Sequence, residues 1–321
     1  MPNGVLILAE VENGAVVPVT QELIGAARRL NAGPVSALLL GSGVEPHASA
    51  ITGVDKVYVV DDPALAQYTN DAYTMATVAV ARQADPAIIL LGQTNIGRDL
   101  APTLAYALDT AVAMDTIALE MKDGRLHTTR PAYGGNARAV NSFTTTPAIA
   151  TVRPKSQDPV EGGGAPGAVE KVSVDLGAVR QTVIKREAAA EEGVRLEDAD
   201  VVVTGGRGLG GPENFSGIEE LAKILGGAVG ATRAVADLGW RPVSEQVGLT
   251  GKVVSPTLYI AIAVSGASQH MAGCSGSKNI VAINKDADAN IFKAARFGIV
   301  GDYKNVLPPL IEAIKKEKAA G

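Results

Sequence analysis

Between Val201 and Gly211 the chain reads VVVTGGRGLGG, an apolar run ending in a glycine-rich turn. Gly206, Gly208 and Gly211 satisfy the spacing GxGxxG, after a strand-like segment and shortly before a helical one. Glycine at such positions lets the backbone approach a pyrophosphate, and the N-terminus of the following helix favours an anion. The spacing alone serves a nucleotide or a plain glycine-rich turn. Arg207 inside the turn is a guanidinium suited to phosphate, or an ordinary surface arginine.

Three further clusters carry comparable chemistry. Gly230-Ala231-Thr232-Arg233 and Gln246-Val247-Gly248-Leu249-Thr250-Gly251-Lys252 combine small residues, hydroxyls and cations, a mixture that lines a flat ring system without clashing. Ser265-Gly266-Ala267-Ser268-Gln269-His270 follows an apolar run ending at Val264 and places free backbone N–H groups at a helix start. Ile283-Asn284-Lys285-Asp286 closes another buried run. Taken singly, each is also ordinary turn chemistry: His270 can be a capping or core histidine, Arg233 half of a surface ion pair. In open α/β sheets ligands sit beyond the carboxyl ends of the strands, so four strand-end clusters in one small domain are expected to converge on a ligand.

The elements that must position them alternate. Val5–Ala9, Val35–Leu40, Val57–Val60 and Ala87–Leu91 read as buried strands, with helical spacing over Gln21–Leu30 and Asn70–Arg82. That rhythm predicts a parallel sheet covered on both faces. From Asp115 it changes to four successive strands, Thr116–Met121, Arg125–Arg130, Ala137–Asn141 and Ala148–Val152, expected as an antiparallel extension. Gln157–Gly167 is a Pro/Gly loop, followed by a strand pair at Glu170–Val174 and Gln181–Lys185. The polar stretch REAAAEEGVRLEDAD then predicts a linker, dividing residues 1–190 from 191–321. In the second part, strands at Val201–Thr204, Tyr259–Val264 and Asn279–Asn284 alternate with helices at Asn214–Leu225 and Tyr303–Lys318, as in a doubly wound nucleotide-binding domain.

Composition narrows the function classes. A net charge of −5 without a basic block leaves nucleic-acid binding no footprint. No apolar run is long enough to span a bilayer. Histidines 47, 127 and 270 are far apart and no CxxC or HxxxH spacing exists, so no metal site is expected. A single cysteine, Cys274, excludes an internal disulfide and reads as a buried filler. The start MPNGVLILAE has no basic or apolar leader pattern, which leads to the expectation of a cytoplasmic protein.

From Val201 to about Pro309 the chain resembles the FAD domain of electron transfer flavoprotein α subunits, through VVVTGGRGLGGPENF, GGAVGATRAVADLGW, SEQVGLTGKVVSP, LYIAIAVSGASQHMAG, SKNIVAINKD and IFKAARFGIVGD. The first half is similar through GQTNIGRDLAPTLA and TRPAYGGNA. The resemblance implies FAD as cofactor and a residue set that also includes Gly208, Thr232, Gln246, Val247, Gly248, Gly251 and Ala267. It places Arg207 near the flavin and phosphates, Arg233 against the isoalloxazine ring, Thr250 at N5 and His270 near the C2 carbonyl. Ser265, Gly266 and Gln269 match the segment cradling the ribityl-pyrophosphate portion; Asn284 and Asp302 match contacts to the adenosine half. Leu249 departs from the family pattern, standing where glutamine is usual, and Thr232 stands where serine is commoner.

The resemblance further implies an electron carrier without substrate turnover of its own: the α subunit of a heterodimer with an electron transfer flavoprotein β subunit. Single electrons would pass from dehydrogenases to an acceptor such as a membrane quinone oxidoreductase. Arg233 and His270 would then stabilise an anionic semiquinone, whose charge concentrates around N1 and the C2 carbonyl. Two alternatives stay open at this point. A flavin-bifurcating relative would hold a second FAD, in place of AMP, in the β subunit. An NAD-dependent dehydrogenase would use GxGxxG as a dinucleotide fingerprint and need an acid about 20 residues on; Asp237 lies further away than that.

Overall fold

The computed structural model describes residues 2–135, 137–160, 164–185 and 194–320. The chain divides into two compact units, residues 1–132 with 138–187 and residues 133–137 with 188–321. The boundary expected at residue 190 and most of the expected linker lie outside the described residues.

The first unit is built on strands β1 (Val5–Ala9), β2 (Val35–Gly41), β3 (Lys56–Asp61), β4 (Ile88–Gly92), β5 (Val112–Thr116), β9 (Ala148–Val152) and β10 (Ala168–Lys171). They form one parallel sheet in the order β10-β3-β2-β1-β4-β9-β5. Every residue of β1 is buried because both faces are covered. Val5, Ile7 and Ala9 pack toward α1 (Pro18–Leu30). Leu6 and Leu8 pack toward α2 (Asn70–Ala84) and α3 (Asn95–Ala107). Of the four strands expected after Asp115 as an antiparallel extension, three correspond to β6 (Ala118–Lys122), β7 (Arg125–Ala132) and β8 (Ala137–Ser142), which make a separate three-stranded sheet; the fourth, Ala148–Val152, is instead β9 and pairs parallel with β4 and β5 inside the main sheet. Gln181–Lys185, expected as a strand, is irregular; β3 is instead flanked at the sheet edge by β10 alone.

Strand order reverses at β1, and there the crevice is closed by side chains. The Thr94 hydroxyl caps α3 by accepting from Gly97 N–H at 3.0 Å and donates to Glu10 Oε1 at 2.8 Å. Asp99, in the first half of α3, accepts from the Tyr68 hydroxyl at 2.7 Å and from the Asn70 amide at 2.9 Å. The NIGRDLAP segment therefore serves as a helix start tied to the neighbouring helix.

The second unit holds β11 (Val201–Gly205), α4 (Ser216–Leu225), β12 (Ala228–Ala231), α5 (Arg233–Asp237), β13 (Leu258–Ile262), α6 (Ser268–Cys274), β14 (Asn279–Asn284), β15 (Phe297–Val300) and α7 (Tyr303–Ala320). Its sheet is parallel throughout, in the order β12-β11-β13-β14-β15. Val203, Ile260 and Ile262 bury one face against α4 and α7 through Phe215, Ile218, Leu221, Leu307 and Ile311. Val202, Tyr259, Ala261 and Ala282 bury the other with Cys274 of α6. With helices on both faces and the order 2-1-3-4-5, this is a doubly wound domain whose switch point lies between β11 and β13.

Candidate cofactor site

The turn after β11 and the turn after β13 approach each other at that switch point. A Cβ on Gly206 would stand 2.2 Å from the Ala263 carbonyl oxygen, and one on Gly208 would stand 3.0 Å from it. Gly206 is thus required by close backbone approach, while a side chain at Gly208 would make the Ala263 backbone give by a few tenths of an ångström. The GxGxxG stretch coils into two short 3₁₀ turns, Arg207–Leu209 and Pro212–Phe215, before α4 begins. Beyond these turns opens a cleft of about 660 Å³, a volume ordinary for a cofactor site.

Thirteen of the expected residues line it: Arg207, Gly208, Thr232, Arg233, Gln246, Val247, Gly248, Thr250, Ser265, Ala267, Gln269, His270 and Asn284. Three do not. Gly251 is turned under the loop, where a Cβ would stand 2.3 Å from the Gln246 carbonyl oxygen. Gly266 sits at φ +79° with its α-carbon packed against the backbone of Ile291. Asp302 precedes α7 and accepts from Lys304 N–H at 2.9 Å, the position of a helix cap.

The loop carrying Gln246–Lys252 is fixed from several sides. Val247 N–H donates to Ala231 and Lys252 N–H to Gln246. Leu249 N–H donates to the Gln269 carbonyl at 2.8 Å, leaving the Leu249 side chain exposed. The leucine-for-glutamine departure therefore leaves this backbone anchor intact. Buried Gln246 donates its Nε2–H to Thr250 Oγ1 at 3.1 Å, which leaves the Thr250 proton free to donate elsewhere.

Charge in the cleft is balanced in sign, two cations against two anions. Arg207 and Arg233 line it with Asp237 and Asp286. Arg233 meets Asp237 at 3.3 Å one helical turn on, both side chains being well exposed. His270 is the buried exception, at 7% exposure. Its Nδ1 lies 3.0 Å from the Val247 carbonyl oxygen and its Nε2 3.0 Å from the Tyr259 hydroxyl. Burial pushes its pKa from 6.5 down to about 4, against the opposing pull of the Val247 carbonyl. Cys274, one turn along α6, is a buried thiol pushed up to about 12 by desolvation. It is inert packing, as its place in the apolar cluster indicates.

Comparison with known proteins agrees with this geometry. Residues 5–176 match the electron transfer flavoprotein domain and residues 195–275 the electron transfer flavoprotein FAD-binding domain. An electron transfer flavoprotein subunit alpha of Thermoanaerobacterium thermosaccharolyticum is 45% identical over 97% of this chain and 98% of its own. The chain belongs to the electron transfer flavoprotein α-subunit family. The Bacillus subtilis electron transfer flavoprotein subunit alpha is 41% identical over 98% of both chains, and Protein FixB of Clostridium saccharobutylicum is 44% identical over 98% of this chain and 96% of its own.

FAD is thus the cofactor of the C-terminal domain. The cleft fits it. The backbone N–H groups of Ser265, Gly266 and Ala267 meet no acceptor among the described residues, so three consecutive donors stand ready for an anion beyond β13. Four cleft-lining residues escaped the sequence reading of the site: Ala234, Ala263, Val264 and Ala289. Only Ala263 carries a backbone signal, a left-handed φ of +55° on a residue with a side chain, and no sequence pattern marks it.

Proposed function

We propose that this chain is the FAD-carrying subunit of a heterodimeric electron carrier. Its partner is an electron transfer flavoprotein β subunit, which completes the surroundings of the ring. Electrons arrive singly from dehydrogenases and leave to an acceptor such as a membrane quinone oxidoreductase. The observation that carries this reading is the composition of the cleft at the β11/β13 switch point. It offers two guanidiniums, free backbone donors and a donating hydroxyl to an anionic, planar cofactor, while its buried imidazole already has both nitrogens engaged.

Bound FAD supplies one-electron chemistry. The chain's own residues bind, orient and polarise it. Arg207 and the Ser265–Ala267 amides would hold the pyrophosphate, Arg233 would favour negative charge on the ring, and Thr250 would donate a hydrogen bond to it. Asn284 turns its amide inward, donating to the Val264 carbonyl at 2.9 Å, so its part is to shape the wall beneath the adenosine half. Asp237, the acid a dehydrogenase would direct at a ribose, is paired with Arg233 instead.

The test is co-expression with a β subunit, flavin quantification and stepwise reduction. One FAD per heterodimer, reduced in two separate one-electron steps, is expected. Two flavins would assign the pair to electron bifurcation. A flavin-free chain that binds NAD tightly would overturn the proposal.

A further inference from the structure

Ala263 is the residue at which the chain leaves the second unit's sheet. Its N–H still donates to the Ile283 carbonyl of β14 at 2.8 Å. Its φ is +55°, a left-handed conformation in which the β-carbon crowds the following carbonyl. Glycine adopts it without that penalty. Elsewhere among the described residues with side chains it falls mostly to Asn and Asp, whose short polar groups can hydrogen-bond locally. A methyl has no such compensation. Of the described residues that line the cleft, Ala263 alone combines a side chain with this backbone. Strain of this kind gathers at ligand clamps, where what the side chain does offsets the local cost.

The methyl lies against the glycine-rich turn. That turn is fixed at both ends. Gly206 N–H donates to the Ile262 carbonyl at 2.9 Å, and the Leu209 carbonyl accepts from the Asn214 amide at 2.9 Å and from the Tyr303 hydroxyl at 2.7 Å. Its middle rests on Ala263. The three atoms nearest to a Cβ on Gly208 all belong to that residue, the carbonyl oxygen at 3.0 Å, the methyl at 3.1 Å and the carbonyl carbon at 3.7 Å. Arg207, which carries the guanidinium of the turn, adjoins Gly208 and lines the same cleft. We propose that the Ala263 methyl is a spacer for the cofactor site: it sets how closely the Arg207–Gly208 turn approaches β13, and so the width of the crevice at the switch point. In Ala263→Gly, Gly206 and Gly208 would face another glycine, and the turn would be free to sink toward the strand. Ala263 is thus a positioning residue, acting through the turn that it supports. The inference rests on the reading that this cleft holds the FAD.

The full-length chain, co-expressed with its β subunit, stripped of flavin and titrated with FAD, tests this through a split between stability and affinity. Ala263→Gly removes the methyl and relieves the left-handed backbone, so the melting temperature of the flavin-free protein should hold or rise. FAD should nevertheless bind about fivefold or more weakly, because a cofactor site tolerates little loosening of its walls. The visible circular dichroism of the bound flavin should change as well. Ala263→Ser keeps the β-carbon and should restore the parental affinity and dichroism. A methyl that served packing alone would give the reverse, a glycine variant that melts lower and binds FAD as the parent does. Either half of that result, or a glycine variant that fails to fold, would overturn the proposal, as would a serine variant that binds as weakly as the glycine one. A parent that binds no FAD in this cleft would overturn the reading of the cleft, and this inference with it.

Discussion

A Cβ placed on Gly273 of α6 would stand 2.3 Å from the backbone nitrogen of Gly248 and 2.5 Å from its α-carbon. Helix and loop touch backbone to backbone, which is why the loop that carries Thr250 can lie flat on α6. In Gly273→Ala the helix must retreat or the loop must lift. Forced repacking of this kind costs about 1–3 kcal/mol. We expect a lower melting temperature together with at least tenfold weaker FAD retention. A variant that melts lower yet holds FAD as tightly as the parent would show that the contact matters to the fold alone.

Arg233 behaves differently. Its ion pair with Asp237 is exposed, and such pairs contribute roughly 0–1 kcal/mol to stability. Arg233→Ala should leave the melting temperature nearly unchanged. With the cofactor seated as proposed, removing this cleft cation should lower the FAD potential by about 60 mV or more, a tenfold change for a one-electron step. Potentiometric titration decides: an unchanged potential would remove Arg233 from the ring's surroundings.

Thr250→Val keeps shape and deletes the hydroxyl. Gln246 then loses the acceptor for its Nε2–H, at a cost of about 1–3 kcal/mol for a buried donor left unsatisfied. The flavin spectrum should shift and electron transfer should slow. Spectrum and rates both matching the parent would exclude a contact between Thr250 and the ring.

Glu10 gives a stability prediction with a definite sign. Burial raises its pKa from 4.5 to about 7, the hydrogen bond from Thr94 opposing and Glu12 adding to the shift. Between those values the folded chain keeps a proton that the unfolded chain has released, so stability falls as pH rises through the window. The loss amounts to at most about 3 kcal/mol at about 1.4 kcal/mol per unit. Glu10→Gln should flatten this slope and be the more stable protein above pH 7. Denaturant melts across the window with parallel slopes for both chains would refute the assignment.

Periodicity made most strands legible. Val5–Ala9 and Asn279–Asn284 have the bounds that their apolar runs predict. β12 and β15 escaped notice for opposite reasons. Ala228–Ala231 is too small and glycine-containing to read as a strand, and Phe297–Val300 is exposed at every position, with no buried face to impose alternation. Gln181–Lys185 erred the other way: its apolar pair Val183 and Ile184 is exposed. At the site, strand-end clusters were visible because glycines, hydroxyls and cations are conspicuous in sequence. Asp302 stands apart from these clusters as the cap of α7, since an aspartate one residue before a helix reads equally as a cap or a contact. The engagement of both His270 nitrogens could not be read, because it depends on Tyr259 arriving from a different strand.

The order of strands in the second unit also has a consequence in time. The cleft's first wall, Gly206–Gly208, is synthesised before α4 and β12, and its last, Asn284–Ala289, only after β13 and α6 have followed. A nascent chain emerging from the ribosome carries the phosphate turn long before it carries anything opposite. Cofactor capture is therefore a late event in the life of each molecule, and a prematurely terminated chain ending before β14 would be unable to sequester FAD.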